Sequence, residues 1–74
     1  MADYVVDARG LKCPVPIARI SGEMKKLQPG QTLEVTANDK AFGRDVQAFC
    51  RVSGNPLISL TDEDGVFTVI IKKV

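Results

Sequence analysis

The chain has 74 residues, 45% hydrophobic and 26% charged, with ten basic and nine acidic side chains and a net charge of +1. That length allows one domain spanning residues 1–74; a core hiding only about 60% of the unfolded surface leaves little room for a deep catalytic pocket. So balanced a charge argues against direct nucleic-acid binding through many phosphate contacts. Met1-Ala2-Asp3-Tyr4 has neither the basic run of a signal peptide nor an apolar span, so a cytoplasmic protein without a membrane segment is expected.

In chain order, Tyr4-Val5-Val6-Asp7-Ala8 reads as a first strand, and Arg9-Gly10-Leu11-Lys12-Cys13 as a loop. A helix is expected from about Pro14 to Leu27, with Ile17, Ile20, Met24 and Leu27 on one apolar face at helical spacing. Proline is tolerated in a first helical turn because the amide it lacks would have no helical partner. Gln28-Pro29-Gly30 ends the helix. Leu33, Val35 and Ala37 alternate with Thr32, Glu34 and Thr36, the pattern of a strand with one face buried.

Asn38 or Asp39 can cap a second helix over about Lys40 to Ser53, with Phe42, Val46, Phe49 and Cys50 inward and Gly54 just past its end. Gly43 inside that helix costs stability relative to alanine, which points to close packing or a partner's approach. Leu57 to Leu60 is a third strand, Asp62-Glu63-Asp64-Gly65 a turn, and Val66 to Lys72 a fourth strand rich in β-branched residues.

The order is βαβαββ. Right-handed crossovers stepping the same way put both helices on one face of the sheet. The final hairpin, inserted beside the second strand, gives a four-stranded mixed sheet of order 1-2-4-3. The predicted fold class is therefore an α/β (α+β) two-layer sandwich, with Val66 and Ile70 on the uncovered face.

Chemistry centres on two cysteines, in a chain without histidine. Two thiolates alone do not complete a structural zinc site, so no metal or other cofactor is expected. A reducing compartment also disfavours a permanent disulfide. Cys13 stands where the first loop meets the first helix. The partial positive charge of a helix start, with Arg9 and Lys12 close in sequence, favours a thiolate. The thiolate is the form that attacks sulfur in a disulfide or persulfide.

Pro14 and Pro16 act in the opposite direction, because neither has an amide hydrogen. Of the three residues after Cys13, Val15 alone can donate a backbone hydrogen bond, whereas sites that stabilise anionic intermediates gather several donors. A thiol of moderate activation, held outward, is the expectation, and it suits carriage better than catalysis. A packing cysteine flanked by solvated loop charges is the competing reading. Cys50, on the apolar face of the second helix, reads as a buried core thiol or as a resolving partner for Cys13. Arg44 and Asp45 read as a surface ion pair or a docking contact.

The stretch Asp7-Ala8-Arg9-Gly10-Leu11-Lys12-Cys13-Pro14-Val15-Pro16 closely resembles the signature of the TusA/SirA family of sulfur carriers. That signature is an Asp-x-x-Gly-x-x-Cys-Pro-x-Pro run following the first strand. The resemblance continues through Gln28-Pro29-Gly30-Gln31-Thr32-Leu33, Asn38-Asp39, Arg44-Asp45-Val46 and Phe49-Cys50. It implies that Cys13 accepts sulfane sulfur as a persulfide. The sulfur would come from a cysteine desulfurase or rhodanese-type donor and pass to a sulfur-accepting protein. Routes in the family include thiolation of a tRNA wobble uridine. Arg9, Gly10, Lys12, Pro14, Pro16 and Arg19, together with Leu11 and Val15, lie near enough in sequence to frame a docking surface. The alternatives are a regulatory or transporter-associated binding module and a Cys13/Cys50 redox switch.

Overall fold

The structure is a computed structural model that describes residues 2–74. Six elements follow one another: β1 (Tyr4–Asp7), α1 (Val15–Met24), β2 (Thr32–Ala37), α2 (Phe42–Ser53), β3 (Leu57–Glu63) and β4 (Val66–Lys72). They form one sheet of order β1-β2-β4-β3. β1 pairs parallel to β2, with Val6 opposite Val35. β4 runs antiparallel to both of its neighbours, with Val69 opposite Val35 on one side and Leu60 on the other. This is the expected topology, and a parallel β1–β2 pair requires the crossover that α1 supplies.

Strand alternation decides which face is covered. Val6, Leu33, Val35, Val69 and Ile71 turn toward the helices and join Ile20, Met24, Phe42, Val46 and Cys50 in a single core. Phe42, Ile20 and Leu33 are completely buried, and burial of each such side chain is worth about 1.5–3 kcal/mol. The opposite face carries Val66 and Ile70, as expected. Ile70 lies opposite Glu34 and Ser59, and Glu34 also separates it from Val5, so the apolar residues there are interrupted by polar ones.

Several boundaries differ from the sequence reading. α1 starts at Val15 with Pro14 as its N-cap, and it ends at Met24. Beyond it, Lys26 and Leu27 donate to the carbonyls of Glu23 and Met24. These three-residue spacings tighten the last turn while Leu27 stays buried. Neither Asn38 nor Asp39 caps α2, which starts at Phe42 behind Ala41. Asp39 Oδ2 accepts from the Ala41 amide and forms a local turn, and Asn38 is engaged elsewhere.

β3 extends to Glu63, three residues past the expected end. Asp64 and Gly65 both have positive φ, 52° and 82°, the backbone of a two-residue hairpin whose twist matches the strands, so pairing continues to Glu63–Val66. Gly43 is the close-packing case: a Cβ there would lie 2.8 Å from Phe67 Cε1.

Candidate functional site

Because β1 and β2 are parallel, both strands leave the sheet at the same edge and lead into helices there. The loop before α1 and the loop before α2 therefore meet. Their link is the Gly10 amide, which donates to Asn38 Oδ1 at 2.9 Å. Gly10 has φ +85°, a backbone conformation that side chains disfavour. The Val15 amide donates to the Lys12 carbonyl at 2.9 Å. The one amide expected to remain available after Cys13 is thus already used within its own loop. The Cys13–Pro14 peptide is cis.

Cys13 is half-buried and free, with part of its side chain packed against the core. Its electrostatics differ from the sequence expectation. The thiol is pushed up to about 11, first by burial, then by the carboxylates of Asp45 and Asp39, which lie beside it and favour its protonated, donating form. These effects outweigh the helix start, so the resting thiol is not an activated one.

Arg9 does not offset them. Its guanidinium is committed to Asp7, with Nε 2.9 Å from Oδ1 and Nη2 2.9 Å from Oδ2. Held by that side-chain contact, the exposed Asp7 carboxyl falls to about 2. Lys12 is exposed and, among the described residues, makes no ion pair. Cys50 is buried in the core, where burial raises its thiol also; this is the packing position expected of it.

The other candidates divide between two sides of α1. Pro14 lines a shallow apolar groove between the helices with Ile17, Asp45, Ala48, Phe49 and Val52. Pro16 is fully buried beneath it and serves packing, which corrects its assignment to a docking surface. Arg19 lies with Val15, Glu23 and Lys26 along a separate groove of α1, away from the Asp45 side. The structure therefore gathers Cys13, Pro14, Asp39 and Asp45, linked through Gly10 and Asn38, and leaves Arg19 apart. Asp39 was read as a helix cap, and Asp45, with Arg44, as a surface ion pair or a docking contact; Arg44 Nε does lie 3.4 Å from Asp45 Oδ1. The parallel order of the first two strands was the available signal, since it brings both helix starts to one edge.

These features define a class: a two-layer βαβαββ chain presenting one half-buried cysteine at the shared edge where two helices begin. Within that class, residues 4–73 match the family model described as sulfurtransferase TusA, and the chain belongs to that family. Among its relatives, the sulfur carrier protein TusA of Allochromatium vinosum is 40% identical over 75 residues, covering 99% of each chain. The sulfur carrier protein TusA of Pseudomonas paraeruginosa is 35% identical over 71 residues, covering 96% of this chain and 90% of its own. The crystal structure of a SirA-like protein from Desulfitobacterium hafniense superposes with a TM-score of 0.82 at 24% identity, covering 93% of this chain and 95% of that one. Among the described residues, no helix is long and apolar enough to cross a membrane.

Proposed function

We propose that this chain is a single-domain sulfur carrier that holds sulfane sulfur as a persulfide on Cys13 and relays it between proteins in the cytoplasm. The observation that carries the reading is the setting of Cys13: half-covered, at the edge of the fold, in a loop whose nearest amide is already used. Such a thiol has too few donors of its own to stabilise an anionic intermediate, so a partner must supply them when it docks. Family membership supports the same reading.

The donor is a protein persulfide of the cysteine desulfurase or rhodanese type. Cys13 Sγ attacks the outer sulfur of that persulfide. The new Sγ–S bond forms as the donor's own S–S bond breaks, and the electron pair leaves on the donor's inner sulfur. That sulfur takes up the proton Cys13 gives up, so the donor is reduced to a thiol and Cys13 is oxidised to Cys13-S-SH. An acceptor cysteine on the next protein then attacks the outer sulfur in the same manner and regenerates the Cys13 thiol. The acceptor sets the destination, thiolated tRNA being one. Lys12 and Pro14, exposed on either side of Cys13, frame the docking surface, and Gly10 holds the loop in place through Asn38.

Transfer of radiolabelled sulfur from cysteine through a cysteine desulfurase tests the reading. Wild type and Cys50→Ser become labelled and Cys13→Ser does not. Equal labelling of Cys13→Ser would sink it, and a requirement for both cysteines would point to a disulfide switch.

A further inference from the structure

The loop that carries Cys13 consists of two consecutive turns at the end of β1. Ala8 is completely buried and donates to the Thr36 carbonyl of β2 at 2.7 Å, so the chain leaves the sheet from a fixed point. The Leu11 amide donates to the Ala8 carbonyl at 3.3 Å and closes the first turn, with Gly10 at its third position and φ +85°. A positive φ at that position is a turn geometry that glycine adopts readily. The turn's own bond uses the Leu11 amide, which leaves that of Gly10 for an acceptor outside it. The Val15 amide donates to the Lys12 carbonyl at 2.9 Å and closes the second turn around Cys13 and Pro14. Both bonds are local, and Arg9 is held by neighbouring Asp7. Among the described residues, the bond from the Gly10 amide to Asn38 Oδ1 is the one hydrogen bond that ties the backbone of residues 9–14 to a distant part of the chain.

Asn38 is held from both directions. It follows Ala37, the completely buried last residue of β2, a strand paired on both sides. Beyond it, Asp39 Oδ2 accepts from the Ala41 amide at 3.0 Å, and the Asp39 carbonyl accepts from Phe42, whose side chain is completely buried. Asn38 itself is exposed and takes no part in the core. We propose that Asn38 is a positioning residue for sulfur transfer, which grips the Gly10 amide and so fixes the loop that presents Cys13 to a docked partner. This role rests on the sulfur-carrier reading. Displacement at sulfur needs the attacking, transferred and departing sulfurs in line, and a displacement of about 1 Å from a reactive geometry can cost on the order of 100-fold in rate. A loop released from Asn38 still exposes the sulfur but no longer aims it. Asn38 therefore acts on the transfer step within the docked pair, not on docking and not on the thiol itself.

The test is single-turnover sulfur transfer from a persulfidated cysteine desulfurase, read by mass spectrometry over a range of donor concentrations, for wild type, Asn38→Ala and Asn38→Asp. Asn38→Ala is expected to lower the limiting rate about 10- to 100-fold, with the half-saturating donor concentration within about twofold of wild type. Asn38→Asp keeps an acceptor oxygen for the Gly10 amide and is expected to restore most of the limiting rate. Alkylation of Cys13 by iodoacetamide, which needs no docked geometry, is expected to proceed in Asn38→Ala as in wild type. An unchanged limiting rate in Asn38→Ala overturns the proposal, as does an equal loss in Asn38→Asp or alkylation that falls in step with transfer. Should Asn38→Ala not fold, hydrogen exchange of the Gly10 amide in wild type decides: protection supports the grip of Asn38, and exchange as fast as in an unstructured peptide overturns it. Wild type that loads from no donor would overturn the carrier reading and this role with it, an outcome distinct from wild type and Asn38→Ala loading equally.

Discussion

At the scale of single residues, the site is governed by which charge each side chain faces. In sequence Cys13 follows two basic residues and precedes a helix start, yet in the fold burial, and after it the carboxylates of Asp45 and Asp39, act against its thiolate. The sign of the consequence for stability is definite. A thiol raised from 9.0 to about 11 keeps its proton in the folded chain at pH values where the unfolded chain releases it. Stability contributed this way is complete below about pH 9 and is lost as pH climbs toward 11. Denaturant midpoints measured at pH 8 and pH 10 are expected to fall more steeply for wild type than for Cys13→Ser. Equal slopes would contradict the placement.

Asp7 offers the opposite case, a carboxyl held near 2 by Arg9. Following its side-chain carbon by NMR, the midpoint is expected to return toward 3.8 in Arg9→Ala. A wild-type midpoint already near that value would show that the pair does not form in solution.

At the scale of elements, the two cysteines separate by what surrounds them. Cys50 lies in the core on the inner face of α2 and Cys13 only at its margin. Cys50→Ser buries a hydroxyl among apolar groups and is expected to cost about 1–3 kcal/mol in a urea titration. Cys13→Ser is expected to cost less, because its hydroxyl can donate to the same carboxylates and reach water. The reverse order would contradict the core assignment.

Gly43 gives a second element-scale prediction. Alanine is the better helix former by about 1 kcal/mol. However, its Cβ would press on the Phe67 ring, which packs at 6.0 Å against the ring of buried Phe42. Overpacking of that kind costs about 1–3 kcal/mol, so Gly43→Ala is expected to be destabilising overall. A gain in stability would mean that Phe67 is free to shift.

Most of the element layout was legible in the sequence because hydrophobic spacing and turn residues agree along the chain. Ile20 and Met24 mark the inner face of α1, Leu33 and Val35 that of β2, and Gly54 the end of α2 in its left-handed conformation. The helix starts were less legible. Asn38 and Asp39 have the chemistry of caps, but Asn38 is drawn across to Gly10 by a contact 28 residues distant in sequence. Local pattern carries no trace of such a contact. The length of β3 was missed for a different reason, since the acidic run before Gly65 reads as a four-residue turn when only Asp64 and Gly65 turn the chain.

At the scale of the whole molecule, strand direction builds the site. Parallel β1 and β2 deliver both helix starts to one edge, and in open α/β sheets that edge is where ligands and reactive groups gather. The position of Cys13 at this edge was legible from its place after the first strand. The carboxylates facing it were not, because Asp45 belongs to another helix and its nearest charged neighbour in sequence is Arg44. On the proposed reading, the same arrangement lets a chain with so small a core serve in sulfur transfer: the fold holds one sulfur at its rim, and a visiting protein would supply the activating groups.

The most direct test of that account is intact-protein mass spectrometry after incubation with a cysteine desulfurase and cysteine, with Cys13→Ser in parallel. The account expects a gain of one sulfur atom on wild type, mapped to the Cys13 peptide, reversed by reducing agent and absent from Cys13→Ser. No gain on wild type from this donor, nor from thiosulfate with a rhodanese-type enzyme, would contradict it.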